Sequence, residues 1–373
     1  MSSTTITELL LHRHELPVAG GEYEMSTSTV QSLVSWVVEL RTDRGVTGFG
    51  EVCPLGPAYQ PEFADGAAAA IVELAPTVIG LDPTQTTLVN RRMDAALVGH
   101  NYAKSAIDLA CWDLTGKLLD RRVVDLLGGT EAASVPTYWG LMPDTVEATV
   151  AKAVSLVDGG YRRLQLKTGG RPLADDIACM KAIADAVPPT VKLLADANRG
   201  WTVRDAMEFS IACRDIPLAL EQPCSTLDEH RDLVGRTAHP VFLDESTSDV
   251  ATIVRIAGQG IAQGFGMKLS RVGGLSKLRA VRDICDSMRL PMTVDDTWGG
   301  DLVASAITQM GATLDPDLYE GSWISAPYTT ENYPVQSTPI TVEHGRIALL
   351  DGPGLGVDID TSYWALPVAT FTR

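Results

Sequence analysis

Six residues of types that do chemistry recur through the middle of this 373-residue chain at a nearly constant interval. They are Lys167, Asp196, Glu221, Asp244, Lys268 and Asp295, spaced 29, 25, 23, 24 and 27 residues apart. Each closes a short apolar run, in RRLQLK, VKLLADAN, PLALEQ, PVFLDES, GFGMKLS and LPMTVDD. Asp196, Glu221 and Asp244 fall on consecutive runs, and three carboxylates aimed at one place resist ionising unless a cation sits among them. With no Cys or His in the set, all-oxygen ligation favours Mg2+, whose remaining positions water and substrate oxygens would fill. Asn198, two residues past Asp196, is then a supporting group behind the ligands. Lys167 and Lys268 come before and after the acids. A lysine becomes a base near neutrality only if its pKa falls well below about 10.4, through burial or a nearby cation. The metal and the opposing lysine are expected to lower it here. Removing a proton beside a carboxylate produces an enediolate, which the same metal would stabilise. None of the six histidines ends the run that carries Lys268 or the next one, that of Asp295, which leaves lysine as the base.

The element that presents strand-end side chains to one cavity is a parallel barrel, whose active sites lie at the C-terminal ends of its strands. Past Pro136, apolar strands alternate with amphipathic helices, and VPTYWGL before and LYEGSW after the six runs bring the strands to eight. Lys167 ends the second strand and Lys268 the sixth, so the two bases face each other across the ring, as inversion of a carbon centre requires. Before the barrel, alternation from about Ile6 to Thr47, with a turn at Thr42, Asp43, Arg44 and Gly45, predicts a small antiparallel sheet. Helical spacing then runs from about Phe63 to Leu127 and stops at Gly128-Gly129. The fold class is therefore α/β, a (β/α)7β TIM-like barrel with an α+β capping domain. Residues 1–128 form the cap and 129–328 the barrel. Residues 329–373, whose ITVEHGRIALLDGPGLGVDID reads as a hairpin and a Gly/Pro turn, return to the cap. His100, in GHNYAK, is expected to cap the helix that follows.

Composition narrows the partners. Lys+Arg 30 against Asp+Glu 47 gives a net charge of −17, which repels nucleic acid and anionic membranes. Six scattered cysteines without a Cys-x-x-Cys pair suit a reduced cytoplasm, and MSSTTITELLLHRHELP lacks an apolar leader core.

The motifs AKSAIDLACWDLTGK, LLGG, LQLKTGG, ADANRGW, LEQP, LDES and GFGMKLSRVGGLSK occur in the order of the muconate lactonizing subgroup of the enolase superfamily, which the whole chain resembles. The resemblance implies that Lys167 and Lys268 are the paired acid/base lysines and Asp196, Glu221 and Asp244 the Mg2+ ligands. It also implies a small-molecule carboxylate as substrate and, by analogy, a homo-oligomer. One position departs from the pattern: Gln165 stands where the family's Lys-X-Lys has its first lysine. GPAYQP, GHNYAK, DDTWGGD and EGSWISAPY are similar to the proline betaine and hydroxyproline betaine epimerases of this family. Tyr59 and Trp323 then match the aromatic cage for a quaternary ammonium, which offers no N–H and is held by ring faces. Trp298 is read either as a cage neighbour or as packing. Asp295 and Asp296 either orient Lys268 or face the substrate cation. The leading expectation is 2-epimerisation of an N-methylated proline carboxylate. The alternative is dehydration of a cis-3-hydroxyproline with the same metal and lysines, and the third is a non-catalytic betaine-binding barrel.

Overall fold

The structure is a computed structural model, and it describes residues 4–24, 29–142, 144–364 and 366–373. In the cap, strands β1 (Ile6–Pro17), β2 (Ser32–Thr42) and β3 (Thr47–Val52) form an antiparallel sheet. Helices α1 (Ala64–Val78), α2 (Thr86–Ala96) and α3 (Asn101–Leu119) cover it. The sheet lies so close on α3 that Gly50 cannot carry a side chain, since a Cβ there would fall 2.0 Å from the Ala106 carbonyl oxygen. His100 does not cap α3 with its side chain. It sits in the left-handed region at φ 52°, and only its backbone carbonyl enters the helix, accepting from the Lys104 N–H.

Seven parallel strands follow in ring order: β4 (Trp139–Leu141), β5 (Arg163–Lys167), β6 (Lys192–Asp196), β7 (Leu218–Glu221), β8 (Val241–Leu243), β9 (Gly264–Lys268) and β10 (Met292–Asp295). Their connecting helices are α4 (Val146–Asp158), α5 (Leu173–Ala186), α6 (Val203–Ala212), α7 (Leu227–Leu233), α8 (Val250–Gly258) and α9 (Leu275–Ser287), and α10 (Asp301–Gly311) follows β10. Period-two alternation splits each strand. Outward residues such as Leu164, Leu166, Leu220 and Val294 join the large core under the helices, while Leu194, Ala219 and Phe242 form a separate plug. The eighth run, LYEGSW, closes the ring only through single bridges, Tyr319 to Met292 and Ser322 to Thr137, because Gly321 turns to φ 105° between them.

The end of the chain divides its pairing. The hairpin at Val342–Glu343 and Arg346–Ala348 joins Ser134–Pro136, at the entry to the barrel, where the sequence pattern had sent it to the cap. The Gly/Pro turn after it packs on α3 through Gly354 and Leu355, and β11 (Ala369–Thr372) pairs antiparallel with β1. Among the described residues, no helix is long and apolar enough to cross a membrane.

Candidate active site

Register places the acids. Lys167 lies opposite Asp196, and Asp196 opposite Glu221, so three consecutive strands deliver adjacent polar side chains. Across from them Lys268 pairs in register with Asp295. Asp244 sits just beyond β8, one alternation past Phe242, which is level with Glu221. Gly266 on β9 leaves room for this cluster: a Cβ there would come within 2.6 Å of Glu221 Oε1. One cavity is lined by Tyr23, Tyr59, Tyr138, Gln165, Lys167, Asp196, Asn198, Asp244, Lys268, Asp296 and Trp323. It holds only about 40 Å3, room for a few waters, with its cations and anions paired across it.

The pairing is specific. Lys167 Nζ donates to Asp196 Oδ2 at 2.5 Å and to Asn198 Oδ1 at 3.2 Å. Asn198 extends the link, with its amide nitrogen 3.1 Å from Glu245 Oε1. Lys268 Nζ lies 3.3 Å from Asp244 Oδ2 and 3.9 Å from Asp295 Oδ2. Gln165 donates to Glu221 Oε2 at 2.5 Å, so the residue replacing a lysine holds the middle acid. Arg271 is buried against Asp244, and its other arm reaches the Tyr59 hydroxyl at 3.2 Å. Tyr59 in turn donates to Asp244 Oδ2 at 3.0 Å, and the Arg271 guanidinium lies 5.8 Å from its ring centroid. Tyr59 is thus tied by its hydroxyl to an acid, with a cation already near its ring. Trp323 stands in an aromatic wall, 5.5 Å from Trp298 and 5.2 Å from Tyr328.

The two aspartates after β10 separate in role. Asp295 accepts from the Tyr138 hydroxyl at 2.9 Å, Thr293 Oγ1 at 2.5 Å and the Trp323 N–H at 2.6 Å, and it faces Lys268. Asp296 turns to Ser270 and to the Thr297 N–H. Burial pushes Asp296 up to about 6 despite those donors.

The protein's own charges act on the lysines in the opposite sense to a bound cation. Burial lowers Lys167, but Asp196, Tyr23 and Glu221 together outweigh it and hold the ammonium above the ordinary lysine value. Lys268 is raised in the same way, by Asp244 and Asp295 against burial. Among the acids, burial and then the charges of Asp196 and Asp244 push Glu221 up to about 8. Asp244 moves the other way, since Arg271 and Lys268 overcome its burial. Glu245 is pushed up to about 7 by burial and by the neighbouring Asp244 and Asp196.

The donor set suits a hard cation: buried oxygens on adjacent strands whose mutual repulsion already disfavours ionisation of Glu221. Among the described residues no three His, Cys, Asp or Glu side chains converge as ready ligands, since Asp196 and Asp244 turn oxygens to Lys167 and Arg271.

Four participants escape a reading of strand ends. Arg271 lies in the short helix Leu269–Val272. Gln222, at φ 36°, accepts from the Asp244 and Ser246 N–H groups and so fixes where Asp244 begins. Glu245 follows Asp244 directly, and Tyr138 precedes β4. Gln222 and Glu245 directly follow periodic acids, whereas Arg271 and Tyr138 have no place in the strand-end pattern.

A parallel barrel with acids and lysines at its C-terminal rim defines a class of enzymes that act at the rim, and family matches narrow it. Residues 7–128 match the mandelate racemase/muconate lactonizing enzyme N-terminal domain, and residues 148–363 the enolase C-terminal domain-like family. The chain belongs to the mandelate racemase/muconate lactonizing enzyme family of the enolase superfamily. It is 37% identical over 368 residues to a cis-3-hydroxy-L-proline dehydratase from Roseibium aggregatum, covering 98% of this chain and 100% of that one. A hydrophobic dipeptide epimerase from Enterococcus faecalis is 31% identical over 272 residues, covering 71% of this chain and 75% of the other. An enolase-superfamily member from Roseovarius nubinhibens complexed with magnesium superposes with a TM-score of 0.94 at 34% identity, covering 100% of both chains.

Proposed function

We propose that this enzyme dehydrates a 3-hydroxyproline, taking the proton next to the carboxylate and expelling the β-hydroxyl. The observation that carries this reading is that Lys167 and Lys268 line one cavity from separate arcs of the barrel. In the cis isomer the α-hydrogen and the hydroxyl lie on opposite ring faces, so the elimination needs a base on one side and an acid on the other. Two lysines fit that division, and the 37% identical dehydratase supports it. Tyr59 favours it as well, because its hydroxyl and ring are engaged by Asp244 and Arg271 and are less free to cage a quaternary nitrogen.

Asp196, Glu221 and Asp244 would hold a Mg2+ ion, which supplies positive charge for an enediolate and offsets the negative charge that keeps both lysines protonated. This chain's residues do the rest. Asn198 holds the Lys167 ammonium toward the cavity, Asp295 holds Lys268, and Gln165 holds Glu221. One lysine takes the proton from Cα and the other gives a proton to the departing Cβ hydroxide, so one water is lost overall and a cyclic enamine remains, which tautomerises to the imine with no change in redox state.

The epimerase reading keeps one observation in its favour, the wall of Trp298, Trp323 and Tyr328, whose faces suit an N-methylated ring. Proton NMR in D2O separates the two. With cis-3-hydroxyproline we expect loss of the β-hydroxyl and no recovery of inverted substrate. Inversion of a proline betaine without turnover of any hydroxyproline overturns the dehydratase reading. EDTA is expected to abolish turnover and Mg2+ to restore it.

A further inference from the structure

Below Lys268 a line of side chains runs toward the other mouth of the barrel. Asp295 Oδ2 faces the ammonium and receives two hydroxyls, from Thr293 and Tyr138. The Tyr138 ring rests on a cation, with the Arg163 guanidinium 4.1 Å from its centroid. Arg163 is buried in the barrel, its Nε is 3.5 Å from Glu320 Oε2, and both of its terminal nitrogens lack a hydrogen-bond partner. A buried guanidinium with idle donors is costly unless its charge is used. Here the ring face offers an attraction that grows with desolvation. The cation thereby pins the ring, and the ring aims its hydroxyl.

We propose that Tyr138, seated on Arg163, is a positioning residue that fixes the Asp295 carboxylate and through it aims Lys268 at the substrate. Lys167 is held by different groups, Asp196 and Asn198, with Asn198 linked on to Glu245. The two lysines are therefore held by different groups, and loss of the Tyr138 hydroxyl, which reaches Asp295, acts on the Lys268 face of the substrate. The proposal rests on the two-lysine reading above.

The test is α-proton exchange in D2O, followed separately for the L and D forms of proline. Lys167→Ala and Lys268→Ala first establish which enantiomer each lysine serves. Tyr138→Phe keeps the ring on Arg163 and removes only the hydroxyl. We expect it to slow exchange of the Lys268 enantiomer by about 10-fold or more and to leave the Lys167 enantiomer unchanged. In a Lys268→Ala background it should cost nothing further, the non-additivity of two residues acting through one group. Equal slowing of both enantiomers, or none, overturns the proposal. Thr293→Val removes the other hydroxyl from the same oxygen and must show the same one-sided loss should Tyr138→Phe fail to fold. If Lys268→Ala itself spares both enantiomers, the two-lysine reading fails instead.

Discussion

Three buried acids of the cap, Glu51, Asp108 and Asp113, and three at the barrel rim, Asp196, Glu221 and Asp244, are satisfied in opposite ways. In the cap, Glu51 accepts from the Gly300 and Val303 N–H groups, Tyr333 and Ser35, closing the N-terminus of α10. Asp108 accepts from the Ser276 N–H and hydroxyl at the start of α9, and from Asn90. Asp113 accepts from the N–H groups of Phe49 and Leu355 and from Lys117. At the rim, Asp196, Glu221 and Asp244 rely chiefly on the ends of side chains: Lys167, Gln165, Arg271 and Tyr59. Backbone donors are fixed by the helices that carry them, whereas a side chain can swing away. Glu51 and Asp108 are therefore fastenings between cap and barrel, Asp113 ties the C-terminal turn to the cap, and the rim acids can exchange one partner for another.

The largest effect separating the two sets is expected from Glu221→Gln. Turnover should fall at least ~10²-fold. Stability should not fall at pH 8, because a carboxyl raised to about 8 from an ordinary 4.5 makes ionisation costly as pH rises between those values, and Gln removes that cost. A lower melting temperature together with retained activity would erase the distinction. Glu51→Ala is the converse. It leaves buried N–H and O–H groups unpaired and should destabilise the fold by about 2–4 kcal/mol. Activity per folded molecule should stay near wild type, as denaturant melts and active-site titration can establish.

Asp301 offers a finer test where the two regions meet. Burial and the neighbouring Glu51 push it up to about 7. The native state then binds more protons than the unfolded chain between about pH 4 and 7, so stability declines as pH rises through that window. Asp301→Asn should flatten the change in melting temperature between pH 5 and 8, and an unaltered slope would contradict it. The smallest effect is expected at Trp323. If it packs the wall for an unmethylated ring, Trp323→Ala weakens proline and N,N-dimethylproline binding alike, by about 1 kcal/mol. A selective loss of the dimethylated ligand would restore the cage.

What was legible in the sequence followed from periodicity. Strand ends at an interval of about 25 residues put Lys167, Asp196, Glu221 and Lys268 on the rim, because in a parallel barrel the strand register alone sets that level. Non-periodic features were harder. LYEGSW has a strand's composition, but Gly321 interrupts it. The 342–348 hairpin found its partner at Ser134–Pro136 through backbone pairing that side-chain type does not encode. The lysine pKa values depend on the cation and on acids that a strand-end reading does not pair with each lysine, Asp196 for Lys167 and Asp244 and Asp295 for Lys268. Arg271 is invisible to a strand-end reading because it reaches Asp244 from a turn of helix.

The pairing of β11 with β1 has a consequence for how the protein is made. Glu8 meets Thr372, two residues that leave the ribosome far apart in time. At roughly 5–20 residues per second, the interval is on the order of 20–70 seconds. Through that interval the edge of β1 that β11 will cover carries unsatisfied N–H and C=O groups, the kind of edge that recruits strands from other chains. Nascent chains crowded on one message are therefore the point at which this cap is most exposed to mispairing, and a chaperone that shields that edge would matter more here than for the barrel, most of whose strands pair with their immediate successors.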